Sequence, residues 1–136
     1  MCLSVVVHNP SCLLAEGRWA GHEWNVVHNA MGFRCGYVKV LPGHPWHGRG
    51  YDKIRADIHG GLTFGQPDVA CNKGGPDNGY WVGFDCAHSN DAPDPALSSS
   101  DPELARMLGQ GTVRTQQYAE AECRRLCEQA RDAQAS

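Results

Sequence analysis

Residues 80–91 read YWVGFDCAHSND, an aromatic and apolar run that ends abruptly in polar side chains. The apolar half, Tyr80 to Phe84, predicts a buried strand, because aromatic and β-branched residues favour extended structure. The polar half begins at Asp85 and carries side chains that can bind metals or protons. We therefore predict that this stretch is the centre of the molecule, a core strand that carries candidate functional side chains at its end.

A second stretch, residues 54–64, reads IRADIHGGLTF and passes in the same way from strand-like chemistry into a polar corner. Ile54, Ala56 and Ile58 alternate with polar residues, which predicts a half-buried strand that ends at His59. A turn-rich connection then leads to the central stretch, so the two strands are expected to pair antiparallel. We therefore expect the two polar corners to meet in one pocket.

The remaining elements are weaker in pattern, with one exception at the C-terminal end. Residues 115–131 place apolar residues at i, i+4, i+7, i+8 and i+11, which predicts an amphipathic helix. The other predictions are strands at 4–8 and 34–41, a strand or helical turn at 22–30, no decision for 11–21, a surface loop at 89–99 and a short helix at 100–109.

Together these elements predict one α+β domain over residues 1–136, with its core at about 22–131. The expected architecture is a small antiparallel sheet of four or five strands with the C-terminal helix packed on one face. A chain of 14.8 kDa buries roughly two-thirds of its unfolded surface, so one modest core forms without disulfides or a structural metal.

Charge and composition exclude some classes of function. The formal charge is −3, and no Lys or Arg lies between Lys73 and Arg106, so nucleic acid is disfavoured as a partner. No apolar run approaches the roughly 20 residues that span a bilayer, which predicts no membrane association. Seven cysteines, an odd number, without a secretory signal predict a reduced, cytosolic protein.

The spacing Asp85-x-x-His88-x-x-Asp91 could fold three ligands around one point, with His59 arriving from the neighbouring corner. Such a set suits a divalent metal such as zinc, and an open coordination position would activate water for hydrolysis. His59, Asp85 and His88 are then also the candidate catalytic groups. The alternative is structural, with Asp85 capping a turn and His88 bonding a backbone carbonyl.

The candidate ligand-binding residues are His44, Trp46, Gly60, Gly61, Thr63, Trp81 and Asp91. The two glycines could turn backbone N–H groups toward a phosphate, or they could form a tight corner. Trp46 and Trp81, with Tyr51 and Trp24, could form an aromatic wall for a nucleobase, or they could be core residues.

The cysteines offer a rival site. Cys86, Cys123 and Cys127 with His88 would make a closed Cys3His zinc site, whereas the simpler interpretation is that the cysteines are small core residues. Cys86 as a nucleophile would need an exposed thiolate. Glu122 lies beside the apolar stripe of the helix, where it could hydrogen-bond the site from below or line a solvated helix edge.

Five motifs in order resemble a widespread family of small bacteriophage and prophage proteins, over about residues 32–130. They are GYV at 36–38, GHPWHG at 43–48, HGGLTF at 59–64, GFDCAHSND at 83–91 and the helix from Tyr118 to Leu126. Ile58 departs from the family's usual valine, and residues 22–28 have no counterpart in it. The resemblance implies a common origin and a common site, and no particular reaction.

The leading functional hypothesis is a phage-encoded accessory protein in the host cytoplasm that binds a small, phosphorylated or nucleotide ligand, with a counter-defence role. The first alternative is a metal-dependent hydrolase built on His59, Asp85, His88 and Asp91. The second is a module that binds a host protein, and a homo-oligomer is compatible with each.

Overall fold

The computed structural model describes residues 13–29, 31–67, 78–97 and 111–135. The helix α1 is Gln116–Ala135, and a 3₁₀ turn covers Tyr51–Lys53. The strands are β1 (Leu13–Trp19), β2 (His22–His28), β3 (Arg34–Val40), β4 (Phe64–Pro67), β5 (Tyr80–Asp85), β6 (Asp91–Ala92) and β7 (Thr112–Val113).

The strands β1 to β5 form one five-stranded antiparallel sheet in the order β1-β2-β3-β5-β4. The helix α1 packs across β2 and β3 on one face of this sheet. The short strands β6 and β7 pair parallel in a separate two-stranded sheet. The architecture is therefore α+β, as the sequence predicts.

The main core lies between the sheet and α1. From the helix, Ala119, Cys123, Leu126, Cys127 and Ala130 are fully buried, which confirms the predicted apolar stripe. The sheet contributes alternate residues of its central strands, among them Val26, Val38, Val82 and Phe84. Burying one such side chain contributes about 1.5–3 kcal/mol, so most of the helix's stability comes from this face.

Two glycines allow β3 and β5 to pack against each other and against the helix. Gly36 is paired with Phe84 in the sheet register, and Tyr37 is paired with Gly83. A Cβ atom on Gly36 would lie 2.5 Å from the Phe84 ring, and one on Gly83 would lie 2.6 Å from Cε1 of Tyr37. Each aromatic ring therefore covers the glycine opposite it, which explains the glycines of the GYV and GFD motifs.

On the second face of the sheet, Val27, Tyr37 and Trp81 form a smaller buried cluster. Residues Tyr80 to Phe84 of β5 are buried on both faces. A strand of this kind reads as a continuous apolar run in sequence, which is why the predicted central strand is confirmed.

The predicted strand at residues 54–58 is wrong, although its burial pattern is right. Ile54 and Ile58 are buried and belong to the main core, while the backbone between them makes no strand ladder. Side chains of α1 bond this backbone instead: Gln129 exchanges two hydrogen bonds with the main chain of Asp57, at 2.7 and 2.8 Å. The strand that pairs antiparallel with β5 is β4, which begins at Phe64.

Other predictions have mixed outcomes. Residues 22–28 and 34–40 are strands, and the undecided 11–21 region contains β1. The predicted surface loop at 89–99 contains β6, whose two residues are buried. The predicted strand at 4–8 and helix at 100–109 lie outside the described residues. Within the described residues, no helix combines the length and apolar character that crossing a bilayer requires.

Candidate functional site

The turn after Ile58 aims His59 into the site. Gly60 and Gly61 have φ angles of +67° and +79°, a left-handed conformation that glycine adopts without strain. The N–H of Gly61 donates to the carbonyl of Ile58 at 2.8 Å and closes the turn. A Cβ atom on Gly60 would overlap the ring of His88, so the bare glycine lets the two corners touch.

The helix α1 holds this turn from below. Oε2 of Glu122 accepts the backbone N–H of His59 at 3.1 Å, and Oε1 accepts a hydrogen bond from Arg125 at 2.6 Å. The prediction that Glu122 bonds the site from beneath is therefore confirmed. Because Glu122 is buried and paired with a cation, it fixes the position of the His59 backbone.

Asp91 is the buried centre of the site, and its side chain has no exposed surface. Its carboxylate accepts hydrogen bonds from Nε of Arg114 (2.7 Å), Nε2 of His59 (2.8 Å) and the backbone N–H of His88 (3.0 Å). Burial opposes the charged form, but these three donors outweigh it and lower the pKa of Asp91 below its usual range. Asp91 is therefore a fixed negative charge at neutral pH.

His59 bridges Asp91 and Tyr118. Its Nε2 faces the carboxylate, and its Nδ1 lies 2.7 Å from the hydroxyl of Tyr118. A charged carboxylate only accepts, so Nε2 carries a proton; in the neutral ring Nδ1 then accepts the proton of the Tyr118 hydroxyl. Arg114, Asp91, His59 and Tyr118 thus form one chain of hydrogen bonds, which we call the polar chain.

His88 lies at the open side of the site, with 37% of its side chain exposed. Its ring centroid is 5.7 Å from that of His59. Its Nε2 is nevertheless buried, has no hydrogen-bond partner among the residues that the structure describes, and lies 3.6 Å from Oδ1 of Asp85. Asp85 also accepts from Thr63 Oγ1 (2.9 Å) and from the N–H of Ala87 (3.1 Å), so it caps a turn as well.

The structure therefore brings His59, Asp85, His88 and Asp91 together, although His59 lies in a turn and not at a strand end. We call these four residues, with Gly60 and Thr63, the histidine corner. The capping role of Asp85 matches the structural alternative, whereas a bond from the His88 ring to a backbone carbonyl is absent from the described contacts.

These four side chains are not arranged as the predicted metal site requires. Across the described part of the chain, no three His, Cys, Asp or Glu side chains are arranged to hold a metal ion. The physical reason lies in Asp91, whose oxygens already accept from a guanidinium and an imidazole. Nε2 of His59 is committed to the same carboxylate, so neither group presents a lone pair toward a shared point.

Three backbone N–H groups around the predicted anion cradle donate within the protein. The N–H of His59 donates to Glu122, that of Gly61 to Ile58 and that of Thr63 to Gly83. These donors are used inside the fold, so Gly60 and Gly61 serve as a tight corner that admits His88.

The predicted aromatic wall does not form around the histidine corner. His44 is buried, with Nε2 donating to the Ala130 carbonyl at 2.7 Å and Nδ1 accepting the Trp46 N–H at 3.0 Å. Trp46 and Trp24 belong to the main core, Trp81 lies on the opposite face of the sheet, and Tyr51 is exposed. His44 contacts α1 twelve residues beyond Tyr118, the contact of His59, which is about 18 Å along a helix.

The three cysteines of the rival site are core residues, which matches the simpler interpretation of the sequence. Cys86, Cys123 and Cys127 are buried in the main core. Burial raises the thiol pKa of Cys86 and Cys127 to about 12 and that of Cys123 well above its usual value. A protonated, buried thiol is a poor nucleophile, and within the described residues no three His, Cys, Asp or Glu side chains are arranged to hold a metal ion.

Sequence reasoning missed Arg114 as a site residue and assigned no role to Tyr118. One signal could have found Arg114: the acids Asp85 and Asp91 fall in a stretch without Lys or Arg. A buried carboxylate needs a cation from elsewhere in the chain, and Arg114 supplies it from the residues just before α1.

Two cavities lie away from the histidine corner. One, of about 190 Å³, is lined by residues that include His22, Lys39 and His44 at the C-terminal end of α1. The other, of about 310 Å³, lies beside β1 and Trp24. Neither of these two cavities is lined by a residue of the histidine corner.

Comparison with protein-family models, curated proteins and solved structures finds no match to this chain. The likeness to bacteriophage proteins rests on the sequence motifs alone.

Proposed function

We propose that this protein is a phage-encoded accessory protein that binds a small phosphorylated or nucleotide ligand at the histidine corner. The observation that carries the proposal is the contrast between the two histidines. His59 is fixed on both ring nitrogens by Asp91 and Tyr118, whereas the side chain of His88 beside it is 37% exposed and its buried Nε2 has no hydrogen-bond partner among the described residues.

The hydrogen bonds already made at the corner favour a ligand that accepts hydrogen bonds. Both carboxylates are satisfied by protein donors, Asp91 by Arg114 and His59, and Asp85 by Thr63 and a backbone N–H. Two groups that can contact a ligand are partly exposed: the guanidinium of Arg114, which is 24% exposed, and the ring of His88, whose side chain is 37% exposed although its Nε2 is buried. An imidazole and a guanidinium together suit the oxygens of a phosphate.

The support is also energetic. A buried carboxylate held by three donors costs desolvation that a purely apolar contact would not. Polar groups of this kind fix the geometry of neighbouring side chains more than they add stability, as a preorganised binding surface requires. In this proposal, the polar chain is the rigid support and His88 is the group that meets the ligand.

The test is a thermal-shift screen of nucleotides, cyclic dinucleotides and inorganic phosphate. A ligand at 100 times its dissociation constant adds about 2.7 kcal/mol, which is about 9 °C for a chain of 136 residues. The variant His88→Gln should abolish the shift. The matched control is His47→Gln, which alters a histidine beside Tyr80 at the opposite end of β5. No shift with any compound, or equal shifts in both variants, would refute the proposal.

The proposed cellular setting follows from the sequence. The resemblance to phage proteins and the seven cysteines support a role in the cytoplasm of the host cell, with counter-defence as the purpose of ligand capture. Recovery of the protein with the membrane or secreted fraction of infected cells would contradict this setting.

The structure bears differently on the two alternatives to ligand binding, the metal-dependent hydrolase and the host-protein module. A hydrolase with a metal on His59, Asp85, His88 and Asp91 is not proposed, because Asp91 and His59 are committed to each other and to Arg114 and Tyr118. Binding to a host protein stays a prediction from sequence, and a pull-down from host lysate that recovers one stoichiometric partner would favour it over the small ligand.

A further inference from the structure

The hydroxyl of Tyr118 is a chemical group that ligand binding at His88 does not use. It lies 2.7 Å from Nδ1 of His59, whose Nε2 lies 2.8 Å from Oδ2 of Asp91. Asp91 is anchored in turn by Nε of Arg114 at 2.7 Å. The hydroxyl is thus bonded to a base, and the base is held by a buried carboxylate.

We propose that Tyr118 is a nucleophile for phosphorus(V) centres, with His59 as its general base and Asp91 as the residue that positions the imidazole. This activity goes beyond ligand binding and makes the histidine corner a phosphoryl-transfer site.

The geometry meets the requirements for an activated hydroxyl. A nucleophile and its base must lie within hydrogen-bond reach, about 2.6–3.2 Å, and a third group must orient the base. Asp91 fixes Nε2 as the protonated nitrogen and leaves the lone pair of Nδ1 directed at Tyr118. The same carboxylate stabilises the imidazolium that forms when His59 accepts a proton.

The electrostatics explain why a base is needed. Burial, and next the nearby Glu122, raise the pKa of Tyr118 above its usual value, so the hydroxyl keeps its proton at neutral pH. The proton must therefore leave during the attack. Arg114 lies with its guanidinium carbon 5.2 Å from the Tyr118 ring centroid, where it can pair with an oxygen of the phosphoryl group.

The reaction with a phosphate ester can be written in full. A bond forms between Oη of Tyr118 and phosphorus, and the bond from phosphorus to the leaving alcohol breaks with its electron pair on oxygen. The Tyr118 proton moves to Nδ1 of His59. Water protonates the leaving alkoxide, and the resulting hydroxide takes the proton from His59. The products are the free alcohol and a phosphotyrosine at residue 118.

A fluorophosphonate probe tests this inference on the full chain. Here the Oη–phosphorus bond forms, the phosphorus–fluorine bond breaks and fluoride leaves, so the adduct is stable and can be mapped by peptide mass spectrometry. Tyr51 is the internal reference because it is 46% exposed. We expect Tyr118 to react at least tenfold faster than Tyr51, since general bases contribute about 10²–10⁴-fold. Equal rates would overturn the inference without any variant.

Two substitutions, one at His59 and one at His47, then separate the role of the base from that of the fold. His59→Gln keeps an N–H donor for Asp91 and removes the base at Nδ1, so Tyr118 labelling should fall at least tenfold while the melting temperature is largely kept. His47→Gln should leave labelling unchanged. Labelling that survives His59→Gln in a folded protein would show that the polar chain only holds the structure. Labelling needs no bound ligand, so its failure leaves the thermal-shift result standing.

Discussion

Replacing Asp91 with asparagine should destabilise the protein more than any other change of one charge at the histidine corner. The substitution keeps the shape of the side chain and replaces one oxygen by an NH₂ group. The remaining oxygen can accept from Arg114, but the NH₂ then faces the N–H of His88 and the Nε2–H of His59. The N–H donors of His88 and His59 would thus face the new NH₂ donor inside the fold.

The magnitude follows from these contacts. A hydrogen bond to a charged group is worth about 1.5–3 kcal/mol, and His59 can recover one contact by moving its proton to Nδ1. One bond is then lost outright and the charge pairing with Arg114 is weakened, so we expect a loss of about 3 kcal/mol, the lower end of values for broken buried pairs. For 136 residues this is about 10 °C in melting temperature.

Urea unfolding at pH 7, repeated at lower pH, measures the effect. Because the pKa of Asp91 is lowered in the folded state, its contribution is present above the unfolded value of about 3.9 and is lost as the pH falls through the folded value. The gap between wild type and variant should therefore narrow below pH 4.

The control is Asp132→Asn, which removes a carboxylate that is 69% exposed and paired with Arg131 at 3.2 Å. Such a surface pair is worth about 0–1 kcal/mol, so this variant should unfold near wild type. A loss below about 1 kcal/mol for Asp91→Asn, or equal losses for the two variants, would refute the role assigned to the buried carboxylate.

Three further predictions address the supports of the site. Gly60→Ala should cost about 1–3 kcal/mol in urea unfolding, because the methyl group needs a left-handed backbone and overlaps His88. Gly36→Ala should cost a similar amount, since its methyl would meet the ring opposite. Burial lowers the pKa of His44, so stability should fall as the pH drops below about 6.5, and less steeply in His44→Gln.

Each of these predictions has its own control. Gly43 has a φ of +97° with open space around it, so Gly43→Ala isolates the backbone cost, and a Gly60→Ala loss no larger would contradict the contact with His88. A fully stable Gly36→Ala would contradict the packing of β3 against β5. Stability should fall at low pH because His44 binds a proton more tightly in the unfolded state than in the folded state. If the free energy of unfolding depended on pH equally in wild type and His44→Gln, this prediction would be contradicted.

The spacing of apolar residues along the chain predicts the elements whose own apolar residues form the core. The apolar run of β5 and the apolar stripe of α1 each indicate which residues are buried, because the spacing of apolar residues differs between a buried strand and an amphipathic helix. The pattern at residues 54–58 also gives the right burial for Ile54 and Ile58. It could not show that the backbone between them bonds the side chain of Gln129, 72 residues away from Asp57.

The same distinction holds at the site. The polar ends of two apolar stretches indicate where His59 and Asp91 lie, and the structure brings them within 2.8 Å. Their partners could not be deduced, because Arg114 and Tyr118 come from a separate part of the chain. His44 was misassigned because a histidine in a glycine-rich loop reads as exposed, whereas α1 covers it and uses both of its ring nitrogens.

The most direct test is a long-range ¹H–¹⁵N NMR spectrum of the histidine side chains, assigned with His59→Gln and His88→Gln and recorded during titration with the phosphorylated ligand that the screen selects. The account predicts that His59 holds the Nε2–H form with Nδ1 as an acceptor, and that the ring signals of His88 shift while those of His47 do not. A His59 ring that averages between both tautomers, or a His88 ring that ignores the ligand, would contradict it.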